Sequence, residues 1–409
     1  MTAIIDRTTC RVALIAFGFG VYACAGRQPV ASAGSGATST SITSTDLRER
    51  LYLYADDSML GRKVGTVGNA KATAYIAAEA RRIGLKAAGD HGTYFQDIHP
   101  DSSRRFSANA PTGTARNVIA VIRGSDPALR DEFVAIGAHN DHVGTRPDAL
   151  DHDSLRAYNL ELQRRGAPIW DRRLSAWRAA LRDSIRINVD SLRRIRPVRR
   201  DSVYNGADDD GSGTVAVLEI AEAIAAMPVK PKRSILFVWH TGEEAGLLGS
   251  KWFADHPTIP RDKIVAQLNI DMVGRGGAPD IAGGGPRYLQ LMGSRRISTE
   301  LGDLIEQVNS TEKMPFSIDY SWDANGHPER IYCRSDHWNY ARYNIPITFF
   351  TTGLHADYHQ LTDEPQYIDY DHLMRVTQLV RDVAVRVANL DHRPRIDKPV
   401  TDPTAACVQ

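Results

Sequence analysis

The sequence predicts an α/β fold: a single three-layer α/β/α domain in which helices cover both faces of a mixed, mostly parallel central sheet. Apolar, β-prone runs without alternation, such as Glu132–Gly137 and Ser234–Trp239, indicate strands that are buried on both faces. Segments with helical spacing lie between such runs. The 409 residues are 42% hydrophobic, which allows a large core, and the net charge of +1 does not indicate a nucleic-acid partner.

Residues 1–24 are predicted to be a signal peptide of the lipoprotein type. Arg7 and Arg11 precede an apolar run that is too short to span a bilayer. The run ends in Val21-Tyr22-Ala23-Cys24, which resembles a bacterial lipobox with Cys24 as the lipidated residue, and simple cleavage is the alternative. Small and hydroxylated residues predict a flexible linker over 25–45. We therefore expect an exported protein, periplasmic, membrane-anchored only through Cys24, or secreted.

Two cysteines, Cys333 and Cys407, remain in the mature chain. An exported protein allows a disulfide between them. Because two cysteines do not make a disulfide framework, the expectation is two free thiols.

The predicted elements alternate along a domain that covers 46–392, followed by an irregular tail over 393–409. Helical spacing covers much of 46–85 and is interrupted by a glycine-rich stretch over 61–68. The predicted strands are Asn117–Arg123, Glu132–Gly137, Ser234–Trp239, Lys263–Asp271 and Ile347–Thr351, and the later predicted helices are Thr214–Ala226, one that starts at Ala245, and Tyr370–Leu390.

Residues 145–204 interrupt this alternation and are predicted to form an Arg-rich helical insertion. They hold 14 Arg against 8 Asp and Glu. A helix is predicted over roughly Asp171–Arg196, paired with a shorter one near Asp153–Arg165. We interpret the insertion as a solvated basic segment packed on the domain, and a lid or wall of the functional site and a dimer contact are alternatives. The apolar positions of the longer helix are Trp170, Leu174, Trp177, Leu181 and Ile185.

Side chains that can bind a metal ion follow apolar runs at four places, and a fifth cluster precedes a Gly-Ser-Gly turn. One acidic pair is more often the solvated start of a helix, but five such groups are hard to explain as structure. Carboxylates and imidazoles without cysteine suit zinc or another divalent ion, and two imidazoles with three carboxylates suffice for two ions that share one carboxylate. The groups are His139/Asp141, Asp208-Asp209-Asp210, Glu243/Glu244, Asp271 and His355/Asp357/His359.

The order of these motifs resembles family twenty-eight of the metallopeptidases, the dizinc aminopeptidases of the aminopeptidase S and aminopeptidase Y type. Glutamate carboxypeptidases and glutaminyl cyclases are related to that family. The resemblance covers about Leu47–Leu390 apart from the insertion. It implies a zinc-exopeptidase, phosphorylase/hydrolase-like fold and a zinc-dependent aminopeptidase that acts on peptides with a free N-terminus. The motifs are Gly137-Ala-His-Asn-Asp-His-Val-Gly144, Asn205-Gly-Ala-Asp-Asp-Asp-Gly-Ser-Gly213, Thr241-Gly-Glu-Glu-Ala-Gly246, Asn269-Ile-Asp-Met-Val-Gly274 and His355-Ala-Asp-Tyr-His359.

The resemblance also implies a role for individual residues. Two zinc ions are expected, with Asp209 as the bridging ligand because the family's bridging aspartate precedes an Asn or Asp that leads into the Gly-Ser-Gly turn. The family often has a cis peptide after that aspartate, which is expected here at Asp209–Asp210. The implied ligands are His139 and Asp271 for one ion, Glu244 and His359 for the other, and Asp209 for both.

The catalytic roles are carried over in the same way. Glu243 matches the family's general base and acid, and Tyr358 matches a tyrosine that helps hold the oxyanion. Asp141 is expected to orient His139 through the second ring nitrogen. Ordinary hydrogen-bonding roles are expected for the other histidines near these motifs, which are His142, His240, His337 and His355.

Three alternatives stand beside the aminopeptidase. A related zinc carboxypeptidase or glutaminyl cyclase would keep the fold, although the cyclases that resemble it work with one zinc. A non-catalytic surface lipoprotein would have lost a ligand or the base, and no such loss is seen. A serine hydrolase built on Ser335-Asp336-His337 lacks the Gly-x-Ser-x-Gly pattern.

Overall fold

A mixed nine-stranded sheet forms the centre of the computed structural model, which describes residues 38–99, 115–168 and 176–409. Two further strands, β5 and β6, pair only with each other. The strands are β1 (Lys86–Ala87), β2 (Phe95–Asp97), β3 (Arg116–Ile122), β4 (Phe133–His139), β5 (Gly144–Asp151), β6 (Arg200–Tyr204), β7 (Ser234–His240), β8 (Ile264–Ile270), β9 (Tyr288–Met292), β10 (Ser317–Asp319) and β11 (Ile347–Thr351).

The central strands run parallel in the order β7-β4-β8-β11, and antiparallel pairings flank them. Strand β3 is antiparallel to β7, and β9 is antiparallel to β11. Every residue of β4 and of β7 is buried, as expected for strands that are covered on both faces. The predicted mixed α/β sheet is therefore confirmed.

Helices cover both faces of this sheet. One face packs against α1, α2, α6, α8 and α10 through a large apolar core, and the other packs against α7 and α9 around Phe253 and Tyr340. The helices are α1 (Ser44–Tyr54), α2 (Val67–Ile83), α3 (His152–Arg164), α4 (Ala176–Ser184), α5 (Val189–Ile195), α6 (Gly213–Ala226), α7 (Leu248–Asp255), α8 (Thr299–Thr311), α9 (His337–Ala341) and α10 (Tyr370–Ala388).

The insertion differs from its prediction. The long helix expected over Asp171–Arg196 is two helices, α4 and α5, because a new helix begins after Asn188, whose side chain accepts the N–H of Ser191 at 3.0 Å. The first residues of the predicted helix lie outside the described part of the chain. Trp177, expected on the apolar face, is 59% exposed. The insertion's small core consists of Tyr158, Leu162, Ala167, Leu181, Ile185 and Ile187.

Cys333 and Cys407 form a disulfide, so the expectation of two free thiols is wrong. Their Cα atoms lie 5.6 Å apart because the C-terminal segment returns to the region around Trp322 and Tyr332. Gln409 holds the C-terminal segment in this position through two hydrogen bonds. Its Nε2 donates to the Trp322 carbonyl at 2.9 Å, and its Oε1 accepts the Tyr332 N–H at 3.0 Å. Because the two cysteines are 74 residues apart in the sequence, no local pattern indicated that they lie close together.

Removing this disulfide with the double substitution Cys333→Ser/Cys407→Ser is expected to lower the free energy of unfolding by about 2–5 kcal/mol. The bond closes a long loop, so its loss gives the unfolded chain more conformational freedom. Urea unfolding with and without a reductant measures the effect, and the reductant should destabilise only the wild type. Equal unfolding midpoints of the variant and the wild type would contradict this expectation.

Residues Ser39–Gln409 form one compact unit. No helix among the described residues combines the length and the apolarity that crossing a bilayer requires. The predicted signal peptide and most of the predicted linker lie outside the described residues. The parallel strands β7, β4, β8 and β11 end at a common edge, and the motifs found in the sequence follow these ends.

Candidate active site

The carboxyl edge of the parallel strands brings the predicted site residues together. His139 is the last residue of β4, and Asp271 follows β8 directly. Glu243 and Glu244 lie in the turn after β7, because α7 begins at Leu248 and not at the predicted Ala245. In open α/β sheets this edge is where ligands bind.

The first group of candidate metal ligands is His139, Asp209 and Asp271. His139 Nε2 lies 3.0 Å from Asp209 Oδ1 and 3.7 Å from Asp271 Oδ1, and all three residues are buried. Although burial opposes the imidazolium, Asp141, Asp209 and Asp271 raise the pKa of His139 well above its usual range. A cluster of carboxylates around one buried imidazole is an environment that favours a cation.

The second group consists of His142, Asp209, Glu244 and His359. His359 Nε2 lies 3.0 Å from Asp209 Oδ2 and 3.0 Å from Glu244 Oε2, and His142 Nδ1 lies 2.9 Å from Glu244 Oε1. Asp209 thus turns one carboxylate oxygen to each group. Sequence reasoning missed His142 as a candidate ligand, and its only signal was its position three residues after His139, just beyond the end of that strand.

Asp209 is held by the turn Ala207–Ser212 that leads into α6. The Asp209–Asp210 peptide is cis, as the resemblance implied. The carboxylate of Asp363 accepts the N–H groups of Asp208 and Asp209, each at 3.0 Å. Although burial works in the opposite direction, the imidazoles of His139 and His359 hold the pKa of Asp209 well below its usual range, so this residue stays ionised.

The flanking carboxylates of Asp208 and Asp210 belong to neither group and hold the backbone. Asp210 accepts the N–H of His139 at 3.0 Å and the N–H of Gly213 at 2.9 Å. Asp208 accepts the N–H of Gly274 at 2.7 Å. Gly213 is required here, because a Cβ at this position would lie 2.3 Å from an Asp210 carboxylate oxygen.

Asp141 supports the site differently from the prediction. The nearest partner of His139 Nδ1 is the backbone carbonyl of Asp141 at 3.1 Å, whereas the Asp141 carboxylate is 3.7 Å away. That carboxylate accepts the N–H of Glu243 at 3.1 Å. Asp141 therefore orients His139 through its main chain and positions Glu243 through its side chain.

Glu243 lines the cleft but belongs to neither ligand group. Burial raises the pKa of Glu243 well above its usual range, and the neighbouring carboxylates of Glu244 and Asp271 add to the rise. A carboxyl group with a raised pKa that faces the cleft and lies outside both ligand groups suits a proton acceptor.

Tyr358 faces the same cleft, and its hydroxyl accepts a hydrogen bond from Arg334 Nη2 at 3.1 Å. Burial, followed by the charges of Asp209 and Glu244, raises the pKa of Tyr358 well above its usual range. The phenol therefore keeps its proton and can donate a hydrogen bond to a ligand.

The cleft is lined by a group of polar side chains, which includes the candidate ligands of the first group, and by a largely apolar group. The described residues of the insertion contribute nothing to its lining, so its interpretation as a wall of the site is not supported. The polar lining residues near the candidate ligands are His139, Asp209, Glu243, Asp271, Arg334, Ser335 and Tyr358, and the remaining lining residues are Met272, Trp322, Ile331, Phe349, Thr351, Gly353 and Leu354.

The Ser335-Asp336-His337 stretch is not a catalytic triad. Ser335 Oγ donates to Asp271 at 2.7 Å, and the His337 ring stacks on Phe349 with 5.0 Å between centroids. The expected hydrogen-bonding role is confirmed for His355, which contacts Asp208 at 3.0 Å, and for His240, which contacts Tyr340 at 2.8 Å. It is wrong for His142 and His337, whose ring nitrogens have no hydrogen-bond partner within the described ranges.

The known proteins that this chain is similar to belong to the family that the motifs indicated. Residues 183–384 match the profile of Peptidase family M28. A leucine aminopeptidase of Trichophyton equinum is 31% identical over 193 residues, which is 43% of this chain and 46% of that protein. The chain therefore matches less than half the length of that curated relative.

Solved structures show the same fold at lower identity. A glutaminyl cyclase of Porphyromonas gingivalis superimposes with a TM-score of 0.55 at 18% identity, covering 84% of this chain and 97% of the other. A zinc-dependent exopeptidase of Parabacteroides distasonis gives 0.53 at 18% identity, covering 84% and 98%. These similarities confirm the predicted fold class.

Proposed function

Because residues 183–384 place the chain in peptidase family M28, we propose that this protein is a zinc-dependent aminopeptidase that removes N-terminal residues from peptides. One observation carries the proposal. Two groups of candidate ligands share Asp209 at the sheet edge, and Glu243 lines the cleft together with the three residues of the first group. A binding module would have no need for a basic carboxylate at that position.

The donor set fits two zinc ions. It contains imidazole nitrogens and carboxylate oxygens without cysteine, a combination found in catalytic zinc sites. Asp209 Oδ2 and Glu244 Oε1 are buried and have no hydrogen-bond partner among the residues the structure describes. Buried carboxylate oxygens without a partner are costly, and a cation between them would remove that cost.

Zinc in such a site would polarise the scissile carbonyl and lower the pKa of a bound water to about 7. Glu243 would take a proton from the attacking water and deliver it to the nitrogen of the leaving amine. Tyr358 would donate its hydroxyl hydrogen to the carbonyl oxygen as negative charge develops there. Arg334 holds the Tyr358 hydroxyl in place through the 3.1 Å hydrogen bond.

Tyr358→Phe is expected to lower kcat by about 10²-fold with a small change in KM, because the lost donor acts mainly on the developing oxyanion. Steady-state kinetics on a peptide substrate measures both constants. Tyr52→Phe, which removes a hydroxyl from an exposed position, should behave like the wild type. A KM effect without a kcat effect would assign Tyr358 to ground-state binding instead.

Product analysis tests the proposed reaction. Peptides of four residues with Leu, Asp or Gln at the N-terminus are incubated with the protein, and products are identified by mass. Release of the first residue, fastest for leucine because the cleft wall is apolar, supports the proposal. Release of the last residue would establish a carboxypeptidase. Loss of ammonia from the Gln peptide without cleavage would establish a glutaminyl cyclase.

We also propose that the protein is exported. The Cys333–Cys407 disulfide supports this proposal, because such bonds persist mainly in oxidising compartments. The mass of the mature protein tests this proposal, and a lipidated N-terminus at Cys24 is expected. Cleavage without lipidation would support export but not the lipid anchor. An intact Met1 would contradict the proposal.

A further inference from the structure

We infer that His142 is a direct metal ligand, so that one ion position is closed by four side chains and the other is held by three and open to the cleft. The inference rests on the proposed function and goes beyond the ligand set that the family resemblance implies. The closed position is His142, Asp209, Glu244 and His359, and the open position is His139, Asp209 and Asp271.

The positions of the polar atoms around His142 are the first observation that supports a direct metal ligand. His142 Nδ1 lies 2.9 Å from Glu244 Oε1 and 3.8 Å from Asp209 Oδ2. None of these three atoms has a hydrogen-bond partner within residues 38–99, 115–168 and 176–409. The ligand atoms of all four residues lie within 4.8 Å of one another, which is close enough for one ion to contact them all. Neighbouring ligands of a tetrahedral zinc ion, with bonds of about 2.0–2.1 Å, lie roughly 3.3 Å apart.

The packing of the His142 ring is the second observation, because it holds the imidazole in one position. The ring is fully buried and lies against Gly206, where a Cβ would come within 2.5 Å of its Cγ. It also contacts the ring of His359, with 5.6 Å between centroids and an interplanar angle of 72°. The imidazole is therefore fixed beside the carboxylates, and a glycine is needed behind it.

The cleft lining is the third observation, because it distinguishes the two ion positions. All three residues of the open position line the cleft, whereas His142, Glu244 and His359 do not. The ring of Tyr358, which lines the cleft, stacks on the ring of His359 with 3.9 Å between centroids. Structural zinc sites use four protein ligands, and catalytic sites keep a position for water or substrate. The closed position therefore anchors the bridging Asp209, and the open position faces the substrate.

Metal binding by His142→Ala tests the inference. The protein is loaded with zinc, dialysed against a graded chelator, and its zinc content measured. The wild type should hold two ions. The variant should lose one of them with an affinity loss larger than the roughly 10–100-fold typical of residues that only support a ligand. His372→Gln, which changes a buried histidine outside both groups, should match the wild type.

His142→Cys gives a spectroscopic test that does not depend on activity. A thiolate is a zinc-type ligand with a longer bond, about 2.3 Å, which compensates for its shorter side chain. In the cobalt-loaded variant, a thiolate-to-cobalt charge-transfer band in the near ultraviolet would place position 142 on the ion. Two tightly held ions in His142→Ala together with no such band in His142→Cys would overturn the inference while leaving the proposed function intact. A wild type that holds fewer than two ions would overturn the two-ion site itself, and the inference with it.

Discussion

Replacing Glu243 with glutamine is expected to lower kcat by roughly 10²–10⁴-fold and to leave the zinc content unchanged. The amide has the same shape but cannot accept a proton. Glu243 lines the cleft outside both ligand groups, so the substitution should remove proton transfer and spare the metal site. Burial, with help from Glu244, keeps the pKa of this carboxyl above its usual range, which suits it to accept and return a proton.

Kinetics and metal analysis on the same preparation make this test specific. Glu49→Gln, on the exposed face of α1, controls for the loss of one carboxylate. If Glu243→Gln kept a kcat within threefold of the wild type, Glu243 would not be the base. If it lost zinc as well as activity, its role would be to hold the site together.

Arg50→Met is expected to lower the free energy of unfolding by about 3–5 kcal/mol. Arg50 is 3% exposed, and its guanidinium contacts Glu79, Glu219 and Glu222, with 2.6 Å between Nε and Glu219 Oε1. These contacts join α1 to α2 and α6. The substitution would leave buried carboxylates facing one another without their central cation.

The destabilisation by Arg50→Met should also depend on pH. Burial raises the pKa of Glu219 from 4.5 to about 7 even with Arg50 present. Between these values the unfolded chain releases this proton and the folded protein retains it, so this group lowers stability as the pH rises from about 4.5 to 7. Without Arg50 the folded pKa rises further, and the difference between variant and wild type should be larger at pH 8 than at pH 5.

Urea unfolding followed by circular dichroism at both pH values measures this effect. Arg48→Met, a change of an exposed arginine on the same helix, should stay close to the wild type at both. A loss for Arg50→Met of less than about 1 kcal/mol, or one that is equal at pH 5 and pH 8, would show that the carboxylates relax into solvent instead of remaining buried.

The sequence predicted the elements whose own pattern is strong. The buried strands β4, β7, β8 and β11 are continuous apolar runs, and His139 and Asp271 could be placed because they directly follow two of them. The edge strand β10 is three residues long and forms only by pairing with β9, so no local pattern indicated it.

The features that were missed depend on distant segments. His142 could not be assigned, because its role follows from contacts with Glu244 and with the turn around Asp209. Ile331, Arg334 and Phe349 line the same cleft although they come from separate segments, and the disulfide joins residues 74 positions apart. Such contacts are set by packing of the whole domain, which periodicity and spacing do not encode.

Zinc titration of the metal-free protein tests the central claim most directly. Release of nitroaniline from leucyl-nitroanilide is followed as zinc is added, beside the N-acetylated form of the same compound. We expect activity to rise until about two equivalents are bound, with hydrolysis of the free amine only. Activity without metal, or equal hydrolysis of the acetylated compound, would contradict a two-ion aminopeptidase.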